Sequence, residues 1–141
     1  MFLLDTDTLI YSLKGNQSVV ENFRIHDKEP KALSVITYGE LIYGAQKSER
    51  VSHNLAKVYR LRELFPVIDV SCAIMETFGA IKAEIGRQGT VVNDFDLIIA
   101  ATAIVMGYCV VTNNERHFEK IPGLRCANWV TAVYRPPTSD V

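Results

Sequence analysis

Asn93-Asp-Phe-Asp-Leu-Ile-Ile-Ala-Ala-Thr-Ala-Ile-Val-Met-Gly-Tyr-Cys-Val-Val-Thr-Asn-Asn114 constrains this chain more than any other segment. No charge occurs between Leu97 and Asn114. The strongly apolar part is interrupted at Gly107 and closed by Thr-Asn-Asn, so it is too short to cross a bilayer. A helix over Asp94–Met106, apolar on nearly every face, followed by a buried strand over Tyr108–Thr112, accounts for the pattern. Gly107 falls where a left-handed helix cap belongs. A helix and a strand that are both covered belong to a layered α/β core.

Met1–Asp5, Ala32–Ile36 and Pro66–Asp69 have the same short, continuously apolar character as that strand. Val51, Leu55, Val58 and Leu61 recur at helical spacing, as do Ile74, Phe78, Ile81 and Ile85,. Thr37–Lys47 reads as a further helix, and Leu124–Cys126 is a candidate edge strand. Strands alternating with helices predict a three-layer α/β fold, a mostly parallel sheet of four to five strands with helices on both faces. A single domain is expected over residues 1–134, with 135–141 as a frayed tail.

The chain has 141 residues, 48% of them hydrophobic and 22% charged, with a net charge of −1. Bulk charge therefore advertises no nucleic-acid partner, and an RNA ligand needs a local basic patch or a bound cation. Lys47, Arg50, Lys57, Arg60 and Arg62, against a single Glu49 and beside Tyr43 and Tyr59, form such a stretch,. A solvated helix face explains it equally well. Cys72, Cys109 and Cys126 lack Cys-x-x-Cys spacing and read as buried thiols of a reducing cytoplasm,. With an acid already at position 5, neither a secretory leader nor a membrane segment is expected,.

Ligands of open α/β sheets bind outside the carboxyl ends of the strands. Asp5 ends the first strand, Glu40 lies in the helix after the second, and Asp96 opens the apolar helix before the fourth. Each has a local alternative. Asp5, Thr6, Asp7 or Thr8 caps a first helix, Thr37-Tyr-Gly-Glu40 matches a capping box, and Asp69 suits a cap. Asn93 or Asp94 suits the cap of the apolar helix, which leaves Asp96 as a lone acid inside its first turn. A carboxylate there is costly unless paired or holding a cation. Oxygen ligands without a His or Cys cluster suit Mg²⁺ or Mn²⁺. His26, His53 and His117 lack ligand spacing and read as surface residues.

Four stretches together resemble the PIN-domain ribonucleases, specifically the VapC toxins of toxin–antitoxin pairs. They are Leu4-Asp-Thr-Asp-Thr-Leu-Ile10, Ser34-Val-Ile-Thr-Tyr-Gly-Glu-Leu-Ile-Tyr-Gly44, Asn93-Asp-Phe-Asp-Leu-Ile-Ile-Ala-Ala-Thr102 and Val111-Thr-Asn-Asn-Glu-Arg-His-Phe-Glu-Lys-Ile121. The resemblance implies that Asp5, Glu40 and Asp96 hold Mg²⁺ or Mn²⁺, and that Thr112 and Asn114 order the site. It implies a cytoplasmic, homodimeric endoribonuclease that leaves a 5′-phosphate and a 3′-hydroxyl, often on tRNA. A VapB-like antitoxin is expected across its active groove. The family commonly has Asn where Asp7 stands, and many members carry a further acid where this chain has Asn114 or His117. Asp7, Glu115 and Glu119 are therefore open candidates for a fourth acid.

Two other readings compete. Phe2-Leu-Leu-Asp-Thr-Asp-Thr8 matches the start of haloacid-dehalogenase-type phosphatases, with Asp5 as nucleophile,. The acid pair Asp94/Asp96 precedes Val110-Val-Thr112, the wrong order for that family. A non-catalytic α/β binding module explains the capping acids but leaves Asp96 without a partner.

Overall fold

The structure, a computed structural model, describes residues 1–137. Five strands form its sheet: β1 (Phe2–Leu4), β2 (Lys31–Ser34), β3 (Val67–Ile68), β4 (Cys109–Val111) and β5 (Cys126–Ala127). Their order is β3-β2-β1-β4-β5, and every neighbouring pair is parallel. The chain runs outward from β1 through β2 to β3, then returns to the far side of β1 for β4 and β5. β1 and β4 thus flank the point where the winding reverses, the position at which open α/β sheets place their ligands.

Alternating side chains on each strand feed two cores. Phe2, Leu4, Leu33, Cys109 and Val111 face one layer. It is supplied by α1 (Thr6–Leu13), α2 (Gln17–Ile25), α3 (Val35–Gln46), α4 (Val51–Leu64) and Trp129. Leu3, Ala32 and Val110 face the other layer, built from α5 (Cys72–Arg87), α6 (Asp94–Met106) and α7 (Glu115–Phe118). This is the expected three-layer arrangement, and α6 is the buried helix foreseen from its composition, capped by Asn93 through Phe95 N–H at 2.8 Å.

Gly107 ends α6 at φ 70°, in the left-handed region. A Cβ there meets nothing within 4 Å, so the requirement is conformational rather than steric. Gly107→Ala is expected to cost about 1 kcal/mol, read as a lower urea midpoint with an unchanged slope.

Several expectations need correction. β2 stops at Ser34 instead of Ile36, because the Ser34 hydroxyl accepts the Ile36 N–H at 3.1 Å and starts α3 there. Thr37 therefore lies inside α3, and the Thr37–Glu40 capping box does not form. Asp69 caps nothing; Ser71 starts α5 by accepting from Ile74 N–H at 3.2 Å. The edge strand lies at Cys126–Ala127, and Cys72 is exposed while Cys109 is buried. α2 and α7 were not foreseen. Of the expected tail, residues 135–137 are exposed without regular structure; 138–141 lie outside the described residues.

His26, expected at the surface, is 3% exposed. Its ring stacks on Trp129 at 5.4 Å, and its Nε2 lies 3.0 Å from the Tyr134 carbonyl. Asn22 on the same helix donates to the carbonyls of Trp129 and Ala132 and accepts from Tyr134 N–H at 2.8 Å. The segment after β5 thus leaves the site with Asn128 bonded to Asn113 and is then strapped onto α2, where Trp129, His26 and Tyr134 pack on Phe2. No helix among the described residues is long and apolar enough to cross a membrane.

Candidate active site

Asp5 follows β1 directly and is 5% exposed. Its backbone N–H is fixed by the Val111 carbonyl at 2.9 Å, so β4 sets where the acid stands. One carboxylate oxygen accepts from Thr6 N–H at 2.9 Å and the other from the Thr112 hydroxyl at 2.8 Å. Asp7, two residues on, accepts from Thr8 N–H at 2.6 Å and from Asn113 N–H at 3.0 Å. Strand β1, the start of α1 and the turn after β4 thus form one rigid unit around two carboxylates.

Glu40 joins them from α3, accepting from the Thr6 hydroxyl at 3.1 Å. Its local explanation as a cap is gone, and its partner is a residue of the site. Asp96 stands in the first turn of α6 and pairs with His117 Nδ1 at 2.8 Å. Its neighbour Asp94 turns outward to Lys82 at 2.9 Å. Thr112 holds Asp5 as described. Asn114 is exposed and contributes its backbone N–H to the Thr112 hydroxyl at 3.0 Å.

Burial raises the Asp5 carboxyl to about 7, with the Asp7 charge and then Asp96 adding to the rise against the Thr112 and Thr6 hydrogen bonds. Asp7 is raised chiefly by burial, with Asp96 adding to it. Glu40 is raised by burial and by the charges of Asp96 and Asp7. Four acids therefore share one field, and the fourth is Asp7. Glu115 and Glu119 are exposed and are not among the charges that raise Asp5, Asp7 and Glu40.

Acids that oppose one another's ionisation at a strand-end crevice fit a cation. Among the described residues, no three His, Cys, Asp or Glu side chains converge tightly enough to enclose an ion alone. An ion held there would need waters among its ligands. Thr6 and Glu40 also line an open cleft of about 700 Å³ with Tyr43, Lys47 and Phe95. Tyr43 and Phe95 are 65% and 52% exposed, and the Lys47 ammonium sits 5.0 Å from the Tyr43 ring centroid.

Thr6, which bridges Asp5 and Glu40, was missed as a site residue, although it sits in the Asp-Thr-Asp-Thr run. His117 stands where many members of the family carry an acid, but its own role was missed. Its partner lies 21 residues away on another helix.

The fold and the acid cluster are those of a nuclease. A family model described as PIN domain matches residues 2–124. The tRNA(fMet)-specific endonuclease VapC of Shigella flexneri is 40% identical over 129 residues, covering 91% of this chain and 97% of its own length. Ribonuclease VapC2 of Haemophilus influenzae (strain Rd) is 35% identical over 129 residues, covering 92% and 98%. The crystal structure of DNA-bound VapBC from Salmonella typhimurium contains a chain 40% identical, with TM-score 0.84, covering 91% of this chain and 97% of that one. VapBC2 from Rickettsia felis, bound to a fragment of promoter DNA, matches with TM-score 0.85 at 31% identity, covering 91% and 98%. This chain belongs to the PIN-domain family and, within it, to the VapC ribonucleases of toxin–antitoxin pairs.

Proposed function

We propose that this chain is the toxin of such a pair, an endoribonuclease that uses Asp5, Asp96 and Glu40, with Asp7 beside them, to hold Mg²⁺ or Mn²⁺. The observation that carries this reading is Asp5, buried at the winding reversal and raised by that burial and then by the charge of Asp7. A cation bound there supplies charge stabilisation at the phosphate and acidifies a water for in-line attack. Thr112 and Thr6 orient Asp5 by donating to opposite oxygens, and Thr6 also holds Glu40. Asn114 acts through Thr112. Lys47 neutralises a phosphate, while Tyr43 and Phe95 offer faces for an unpaired base, the usual mode of single-stranded RNA recognition.

The substrate we favour is tRNA, given the tRNA(fMet) specificity in the names of two relatives. Cleavage is proposed to leave a 5′-phosphate and a 3′-hydroxyl in the cytoplasm. Association with antitoxin in the neighbouring VapBC structures supports a VapB-like partner, which we seat over the cleft beside Glu40. Homodimerisation is part of the same proposal, as is a single nuclease domain over residues 1–134.

Antitoxin-free protein is expected to cleave tRNA with Mn²⁺ or Mg²⁺ and to stop on EDTA addition, read on denaturing gels. Hydrolysis of a small phosphoester without RNA cleavage favours the phosphatase reading. Neither activity, with no metal bound, favours a binding module.

A further inference from the structure

One acid of the site is held by a kind of donor that the other three lack. Asp5 and Asp7 are gripped by backbone N–H groups and Thr hydroxyls, and Glu40 by the Thr6 hydroxyl. Asp96 takes its hydrogen bond from an imidazole, His117 Nδ1 at 2.8 Å. An ionised carboxylate only accepts, so the Nδ1 proton lies on the ring. His117 is 54% exposed, yet its place is fixed. The adjacent Phe118 is 1% exposed and packs in the same core as Leu97, next to Asp96.

α7 is also tied to the other acid. The Thr112 hydroxyl donates to Asp5 at 2.8 Å and accepts from Asn114 N–H at 3.0 Å. The Asn114 carbonyl accepts from His117 N–H at 3.0 Å. Hydrogen bonds and one short helix therefore connect Asp5 to Asp96 across the point where the sheet reverses.

Resting on the cation-site reading above, we infer that His117 is a positioning residue for Asp96. By occupying Oδ2 it fixes the carboxylate rotamer and leaves Oδ1 for the cation, while α7 sets how far Asp96 stands from Asp5. Groups that orient a metal ligand from behind typically change affinity by ten- to a hundredfold when removed.

The test is Mn²⁺ affinity, by calorimetry and by electron paramagnetic resonance, together with kcat and KM on tRNA. The wild type is compared with His117→Ala, His117→Asn and Asp96→Asn. His117→Ala is expected to weaken Mn²⁺ binding about ten- to hundredfold. kcat should fall at limiting Mn²⁺ and recover at saturating Mn²⁺, with KM for RNA little changed. His117→Asn, whose amide can donate from near the Nδ1 position, is expected to restore most of the affinity, which a bulk structural role would not predict. Unchanged affinity in His117→Ala, with Asp96→Asn losing Mn²⁺, overturns the positioning role and leaves the nuclease reading intact. Unchanged Mn²⁺ binding in Asp96→Asn removes the cation site itself. Loss in His117→Asn equal to that in His117→Ala, in variants melting like the wild type, also counts against the proposal.

Discussion

Asp5→Asn is expected to lose about a thousandfold in cation-dependent RNA cleavage and, free of cations, to melt above the wild type at pH 8. The first effect follows from removing a cation ligand. Its charge stabilisation is worth several kcal/mol, and each 1.36 kcal/mol is a factor of ten in rate. The second effect has the opposite sign because the acid is buried among acids. Its folded value is about 7 against 3.8 in the free side chain, so the native state holds a proton that the unfolded chain releases. The stability from this group is complete below about pH 4 and is lost as pH rises through 7. A displacement of roughly 3 units corresponds to about 4 kcal/mol, an order of magnitude for the whole change. Asn cannot ionise, and its amide oxygen can still accept one of the two donors. Thermal melts at pH 5 and pH 8 in EDTA check the stability: the wild type should lose stability across that interval and the variant much less. A variant less stable than the wild type at pH 8 refutes the account. Adding Mn²⁺ should stabilise the wild type and leave the variant nearly unchanged.

Trp129→Ala is expected to cost about 3–5 kcal/mol, the range for truncating a buried aromatic. Trp129 is fully buried, meets Phe2 and Phe23 edge-on at 5.0 and 5.2 Å, and stacks on His26. Its indole Nε1 has no hydrogen-bond partner among the described residues, so Trp129→Phe removes that donor along with the extra ring and should cost considerably less. Urea unfolding followed by circular dichroism compares the three proteins. Because the indole packs on Phe2, Phe23 and His26 rather than on the acids, cleavage per folded molecule should stay near the wild-type rate well below the melting point. A Trp129→Phe cost equal to that of Trp129→Ala would show that the whole indole, polar edge included, is needed.

What the sequence disclosed follows a physical division. α6, Gly107 and β4 were legible because burial on both sides leaves a run of apolar residues without charge, whatever the partners are. The placement of Asp5, Glu40 and Asp96 at one end of the sheet was legible because parallel strands put all their carboxyl ends together. Glu40's environment was not, since whether Thr37 caps α3 depends on Ser34 starting that helix earlier. α2 was passed over because it is short, nine residues, and because the Asn22 on its buried face is satisfied by carbonyls more than 100 residues away. His26 looked like a surface residue for the same reason, and His117, exposed as expected, gave no sign of its pairing with Asp96. Their partners are Trp129 and Asp96, contacts that only the folded chain creates.

The placement of β1 in mid-sheet has a temporal consequence. Residues 2–4 are made long before Cys109–Val111, so one edge of their strand stays open until those residues arrive. The hydroxyl that holds Asp5 is 107 residues downstream. At about 5–20 residues per second, roughly 5–20 s separate the synthesis of the acid from that of its support. A nascent chain therefore carries Asp5, Asp7 and Glu40 without an assembled site for most of its synthesis. The site is thus kept from assembling until the segment that carries Thr112 has been made.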